Sequence, residues 1–567
     1  MLVATVVMIE MVAVSKLHRR LLTVMMVAMT TILAFAASPE TARAADAGAI
    51  TIGGDVATQY DAYQLFWATV TDKAGFDQKV ATDLAWASDA ARQAVLPVLY
   101  DAGFDSSAST AQEAAEWLNA DGHMSTALAA RLACAICNAG AASVPLNAGM
   151  AAELPCGYWL IVADDDAIDQ DEAGTAPIMA LVGGSAVTVK PKAATPKVAK
   201  HVLEDSTAAW QKAADATVAD DLYWRLSATV PAGLTAYDTY TVRFVDTMSA
   251  GLDPSKVAAS VHVYVAPGAD GGFDAVSAGR DGRAGTEPAK GWTDITAQCA
   301  TKVAADGKTF TVRTGDLIAA LGGADAFAAG VRVVAVYNAP LNSACNHGIA
   351  KGNPNEVYLR YPRSPFADQS GDAGFTHTPS DDACAYTWDL ALTKRGSDSD
   401  KPLAGAVLSI TDDRGRTLTA DGTWDAEGEA TVTTGEDGRV TVSGVDSGKL
   451  EVREIKAPKG YAAFEGTRSV TVKAEGLDVD QVAAAKPKLT ITAESPLRAD
   501  SADGSTGSLE ASLINTPTGT PPSITTGGFM PSTGDMAMYA AAAAAVAGAA
   551  LIVVALLVKR GGGSHKE

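Results

Sequence analysis

Glu454 sits in "LEVREIKAPKGY" with the strand parity of Leu450 and Val452, so a strand here turns its carboxylate toward the face that its apolar neighbours seek. A lone buried carboxylate is costly and needs a partner or a task. Leu390, Leu392 and Lys394 alternate in the same way on an earlier segment, and Leu513 with Asn515 on a later one. The pattern also occurs further up the chain, where Val198, Lys200 and Val202 alternate, as do Val242, Phe244 and Asp246, and Asn355, Val357 and Leu359. Lys197 competes with Lys200 here, and Asn353 with Asn355. Each trio, Lys394 with Glu454 and Asn515, and Lys200 with Asp246 and Asn355, combines an amine, an acid and a carboxamide on inward positions. Apolar burial pushes a lysine toward its neutral, nucleophilic amine and keeps an acid protonated, able to donate to a carboxamide. Held in contact, amine and amide have a large effective molarity. The chemistry expected is an intramolecular isopeptide bond formed with loss of ammonia. The competing reading makes the lysines solvent-facing strand ends and Asn515 a turn residue before Thr516-Pro517.

The elements that must position these residues are short strands. Residues 193–366 read strand, turn, strand ("LYWRLSATVPAG", "YTVRFVDTMSAGL", "SVHVYVAPG", "VRVVAVYNAP", "NEVYLRYP"), and residues 380–516 do so again ("TWDLALTK", "AGAVLSITDD", "RVTVSGV", "LEVREI") with Asp/Gly turns. Alternation with this punctuation predicts β-sandwiches. Residues 45–192 mix strands with Ala-rich helices, one opened by a Thr110-x-x-Glu113 capping box, and predict an α+β domain. Its acidic loop "ADDDAIDQDE" lacks the spacing and central glycine of a calcium loop, and no metal or cofactor is expected. Residues 517–529 read as an extended stalk.

The ends of the chain set a compartment. Lys16, His18, Arg19 and Arg20 precede an apolar run and then Ala42-Arg43-Ala44, so residues 1–44 read as a secretory signal peptide cut after Ala44, with a leader long enough to suggest an early start codon. Met536 to Val558 form an apolar run about as long as a bilayer span, followed by Lys559-Arg560. A net charge of -22 argues against nucleic acid as partner. Six cysteines, Cys134, Cys137, Cys156, Cys299, Cys345 and Cys384, are candidates for disulfides in an exported chain, with the pairing open. Cys134 and Cys137 share a helix face without the second pair or histidines a zinc site needs. Seven scattered histidines without a nucleophile or metalloprotease motif give no support to a wall-anchored hydrolase, so no enzyme acting on an external substrate is expected.

Residues 530–567 resemble the sorting signal of Gram-positive cell-wall proteins: the pentapeptide Met530-Pro531-Ser532-Thr533-Gly534 in place of L-P-x-T-G, then the apolar run and the basic tail. That resemblance implies cleavage by a sortase between Thr533 and Gly534, transfer of the threonyl carbonyl to an amine, and only transient membrane anchoring. "LEVREIKAPKGY" resembles the pilin E-box Y-x-L-x-E-T-x-A-P-x-G-Y, with Leu450, Val452 and Ile455 as departures. "KPLAGAVLSI" and "LINTPTGTPP" resemble strands of collagen-binding-protein B-type domains, and "FVDTMSAGLD" and "GNPNEVYLRYP" resemble the isopeptide domain of fimbrial backbone subunits. The chain therefore resembles the sortase-assembled backbone pilins. The resemblance implies a mainly β chain of tandem Ig-like, collagen-binding-protein A/B-type sandwiches behind the α+β domain. It implies as partners a sortase, identical pilin subunits, peptidoglycan, accessory pilins and an unidentified host ligand. It also implies an acceptor lysine in a V-x-V-Y-P-K motif, for which "AVTVKPK" offers Val187, Val189, Pro191 and Lys192, with Lys190 replacing the aromatic. The alternative is a wall-anchored adhesin with the same crosslinked domains that stays monomeric.

Overall fold

The computed structural model describes residues 46–519 apart from 54–58, 77, 121, 165–166, 169–173, 192–194, 366, 368 and 427. Ala42 and Ala44, Lys192, the pentapeptide Met530–Gly534 and the apolar run 536–558 lie outside the described residues. Among the described residues no helix is long and apolar enough to cross a membrane.

The long strand Gln59–Asp72 organises the first region, pairing with Lys79–Trp86 on one side and Gly157–Ala163 on the other. Its two faces are both buried. Tyr63, Leu65 and Phe66 join Val95, Leu99, Leu118, Leu132 and Ile136 from the helices Asp89–Asp101, Ala111–Asn119 and Thr126–Asn138. Tyr60 and Ala62 instead meet Ile50, Ile52, Leu154 and Val189 of a small sheet built on Ala47–Ile52. The capping box forms: the Thr110 hydroxyl accepts from the Glu113 amide at 3.2 Å, and Glu113 accepts from the Thr110 amide at 3.0 Å.

The remainder is two sandwiches. In the middle one, a six-stranded sheet holding Lys197–Glu204, Tyr223–Val230 and Val331–Asn338 faces a second sheet holding Asp381–Tyr386, Asn353–Pro362, Arg243–Met248 and Thr309–Arg313. Val202, Trp224, Leu226, Val333 and Tyr337 from one sheet meet Phe244, Phe310, Val357 and Leu359 from the other in one core. In the last sandwich, Trp388–Gly396 lies between Arg439–Val445 and Ser508–Pro517. Leu390, Leu392, Leu509 and Leu513 there face Leu408, Ile410, Leu450, Val452 and Val470 of the sheet that carries Val407–Thr411, Gly448–Lys456 and Thr467–Glu475. The chain is mainly β, with tandem Ig-like sandwiches behind an α+β region.

One boundary read from the sequence moves. Asp381–Tyr386 was expected in the last module, yet it pairs antiparallel with Asn353–Pro362 and parallel with Ala213–Asp215, both of the middle module. The last module's own strands begin at Trp388. Phe375–His377 also pairs with Asn353–Pro362, so the middle sandwich runs on to Tyr386.

Candidate functional site

In the last sandwich the first strand, Trp388–Gly396, runs parallel to the final strand, Ser508–Pro517, in a register that opposes Lys394 to Leu513 and Gly396 to Asn515. Lys394 and Asn515 thus lie on neighbouring strands, both side chains buried. Glu454 reaches them from the facing sheet, the far side of the same core. The Lys394 Nζ stands 3.5 Å from Glu454 Oε1, and Asn515 Nδ2 donates to Oε1 and Oε2, each at 2.9 Å. Lys394 Nζ also donates to the Leu513 carbonyl at 3.2 Å, and the Phe464 amide donates to Glu454 Oε2 at 3.1 Å. Burial pulls the Lys394 ammonium down to about 8, against the opposing pull of Glu454.

The middle sandwich assembles the equivalent groups differently. Lys200, Asp246 and Asn355 are all fully buried. Asp246 and Asn355 come from adjacent antiparallel strands, Asp246 opposite Val357 and Asn355 opposite Met248, while Lys200 comes from the facing sheet. Lys200 Nζ pairs with Asp246 Oδ2 and donates to the Tyr337 hydroxyl at 2.9 Å. That hydroxyl donates to Asp246 Oδ2 at 3.0 Å and accepts from Asn355 Nδ2 at 2.8 Å. The rings of Trp224 and Tyr337 stand 5.5 and 5.4 Å from the ammonium. Burial brings Lys200 down to about 8 and pushes the Asp246 carboxyl up, each shift opposed by the ion pair.

The two alternatives left open by parity now separate. Lys197 is exposed. Asn353 is buried but committed, its Oδ1 accepting from the Asn346 amide at 2.8 Å and its Nδ2 donating to the carbonyls of Asn346 and Ala385 at 2.9 and 3.2 Å. Two expectations about contacts need correction. The acids were expected to donate to the asparagine carbonyls, whereas in the last module the amide nitrogen of Asn515 donates to Glu454. The oxygens Asn515 Oδ1 and Asn355 Oδ1 are buried without a hydrogen-bond partner among the described residues. In the middle module Tyr337 stands between acid and asparagine. Sequence reasoning passed over that residue, although it shares the inward parity of Val333 and Ala335, and a core tyrosine needs a partner for its hydroxyl.

No disulfide joins any of the six cysteines Cys134, Cys137, Cys156, Cys299, Cys345 and Cys384 in this structure. Cys134 and Cys137 are exposed on the helix Thr126–Asn138, while Cys156 packs with Ala68 and Val70 on another face of the domain. Among the described residues no group of His, Cys, Asp and Glu could hold a metal.

Residues 389–486 match the family described as SpaA, prealbumin-like fold domain, a stretch that includes Lys394 and Glu454 and stops before Asn515. The trypsin-resistant surface T6 protein of Streptococcus pyogenes serotype M6 is 30% identical over 143 residues, 24% of this chain and 24% of that protein. This chain is similar to the backbone pilins of Gram-positive bacteria. The solved T6 backbone pilin of serotype M6 Streptococcus pyogenes superposes with a TM-score of 0.46 at 15% identity, over 83% of this chain and 98% of that one. The full-length major pilin SpaD from Corynebacterium diphtheriae gives 0.41 at 16% identity, over 83% and 98%. The curated T6 match spans about a quarter of that relative's length.

Proposed function

We propose that this chain is the structural backbone subunit of a covalent surface pilus, stiffened by isopeptide bonds from Lys200 to Asn355 and from Lys394 to Asn515. The observation that carries the reading is the pair of buried clusters, in which an amine of lowered basicity, an acid and a carboxamide meet within one core. In the last module Glu454 Oε1 is close to both reacting nitrogens. As Lys394 Nζ bonds to Asn515 Cγ, Glu454 takes a proton from the amine and returns one to Asn515 Nδ2. The old C–N bond then breaks and ammonia leaves. The reaction occurs once per bond and acts on no external substrate, so the chain is a structural protein.

Secretion by residues 1–44, transient retention by the span 536–558, sortase cleavage after Thr533 and transfer to Lys192 of the next copy complete the assembly. The wall and accessory pilins receive the same threonine chemistry. An SDS gel of wall extracts tests this. A covalent ladder is expected, lost in Lys192→Ala with wall-attached monomer retained, and lost together with anchoring in Thr533→Ala. A single band from the wild type would make the chain a monomeric wall-anchored adhesin. An undiminished ladder in Lys192→Ala would place the acceptor lysine elsewhere.

A further inference from the structure

We infer that the Tyr337 hydroxyl is a catalytic proton relay for the middle crosslink, a part that no described residue takes beside Lys394, Glu454 and Asn515. The inference rests on reading the Lys200 cluster as a crosslinking site. In the last module one carboxylate oxygen, Glu454 Oε1, lies 3.5 Å from the lysine nitrogen and 2.9 Å from the asparagine nitrogen, so a single group can move the proton between them. Asp246 is one methylene shorter. Its Oδ2 meets Lys200 and Tyr337, its Oδ1 has no hydrogen-bond partner among the described residues, and no hydrogen bond joins it to Asn355. Tyr337 Oη spans that break, at 2.9 Å from Lys200 Nζ, 3.0 Å from Asp246 Oδ2 and 2.8 Å from Asn355 Nδ2.

Every hydrogen bond of this buried phenol goes to one of those three groups. Its ring is held edge-on to Phe310 at a centroid distance of 4.8 Å. Burial, followed by the charge of Asp246, keeps the phenol well above its ordinary pKa, so it rests protonated, ready to give one proton while taking another. The exchange balances. The neutral Lys200 amine forms a bond to Asn355 Cγ, and its surplus proton goes to Asp246 Oδ2. Once protonated, Asp246 donates to Tyr337 Oη, the phenol hydrogen turns from Asp246 toward Asn355 Nδ2, and Asp246 passes its proton to Tyr337 as Tyr337 delivers its own to that nitrogen. The old C–N bond breaks, ammonia leaves, and Asp246 and Tyr337 end as they began.

The full ectodomain carries its own control, because one molecule contains both sites. In freshly synthesised Tyr337→Phe protein, followed by peptide mass mapping over time, the Lys200–Asn355 bond should form on the order of a hundredfold more slowly, with Lys394–Asn515 forming at the wild-type rate. Equal rates for the middle bond in both proteins would overturn the relay. Wild-type protein that never forms the middle bond would overturn the crosslinking reading itself. Packing is separated from proton transfer by placing 3-fluorotyrosine at position 337, which keeps the ring and lowers the phenol pKa. The pH profile of the middle bond should shift and that of the last bond should not. An unshifted middle profile would leave Tyr337 a packing residue and contradict the relay.

Discussion

Glu454 and Asp246 stand beside a buried lysine in their two sandwiches with side chains of different length, and the difference decides what each reaches. The longer acid touches both lysine and asparagine, whereas the shorter one touches its lysine and a phenol that in turn meets the asparagine. The parity of apolar neighbours pointed both acids, Lys394 and Asn515 inward, because strand alternation has a fixed period of two, but it left Lys197 beside Lys200 and Asn353 beside Asn355. Tyr337 was not legible in that way, since an inward tyrosine among valines reads as core and its partners lie on three other strands. Replacing Glu454 by Ala should prevent the Lys394–Asn515 bond and leave the middle bond intact, as read by peptide mapping; a last bond formed as in the wild type would remove Glu454 from the chemistry. Both lysines sit near about 8, so the neutral amine is scarce below that value and prevails above it. Crosslinking of newly folded chain should therefore quicken as pH rises from about 6 to about 8 and level off beyond it. The sign for stability agrees. Between about 8 and the ordinary lysine value of 10.5 the unfolded chain binds more protons than the folded precursor, so precursor stability rises with pH there. A rate that falls with pH from 6 to 8 would contradict the amine as nucleophile.

At the level of elements, the first strand of the last sandwich and its final strand run parallel side by side, and the proposed Lys394–Asn515 bond would join them. Each proposed bond would close a loop on the order of 100 residues or more, for which chain entropy suggests roughly 5 kcal/mol of stabilisation. Glu454→Ala should accordingly melt lower and become protease-sensitive in its last module. The strands themselves were legible from alternation and Asp/Gly turns, while the edge between the two sandwiches was not. Asp381–Tyr386 looks like any other short strand, and only its pairing with Ala213–Asp215 and Asn353–Pro362 assigns it. That junction buries acids: Asp215 Oδ2 accepts from Trp388 Nε1 at 2.6 Å and from the Ser447 amide at 2.9 Å, while Glu204 Oε2 accepts from the Asp215 amide at 3.2 Å. Burial, then Asp215, pushes Glu204 up to about 8, and burial with Asp215, Asp205 and Glu204 raises Asp446 as well. For acids raised in this way the folded state binds more protons than the unfolded, so stability falls as pH rises. His201 is lowered to about 4, and its opposing contribution is complete by its ordinary 6.5. Between about pH 6.5 and 8 the melting temperature of the mature ectodomain should fall, and Glu204→Gln should flatten that fall. A wild-type melting temperature constant across this window, by calorimetry, would contradict a carboxyl held neutral at the joint.

Across the whole molecule, the order of residues sets the path of force. If one neighbour is joined at Lys192 as proposed, tension would enter a few residues before Lys200, cross the middle sandwich at Asn355, pass the junction at Trp388, and cross the last sandwich between Lys394 and Asn515 to leave at Thr533. The α+β region hangs outside this line, and no trio of the same kind was found in its sequence. Pulling a native fibre should therefore leave both sandwiches inextensible and give no unfolding steps from the first region, and sawtooth extension of either sandwich would contradict this path. All of it depends on the two bonds. The most direct measurement is the intact mass of the reduced, purified ectodomain with tandem mass spectrometry of its peptides. The mass should be lower than the sequence by two molecules of ammonia, with one branched peptide joining Lys200 to Asn355 and another joining Lys394 to Asn515; an unshifted mass with all four residues on linear peptides would contradict both bonds.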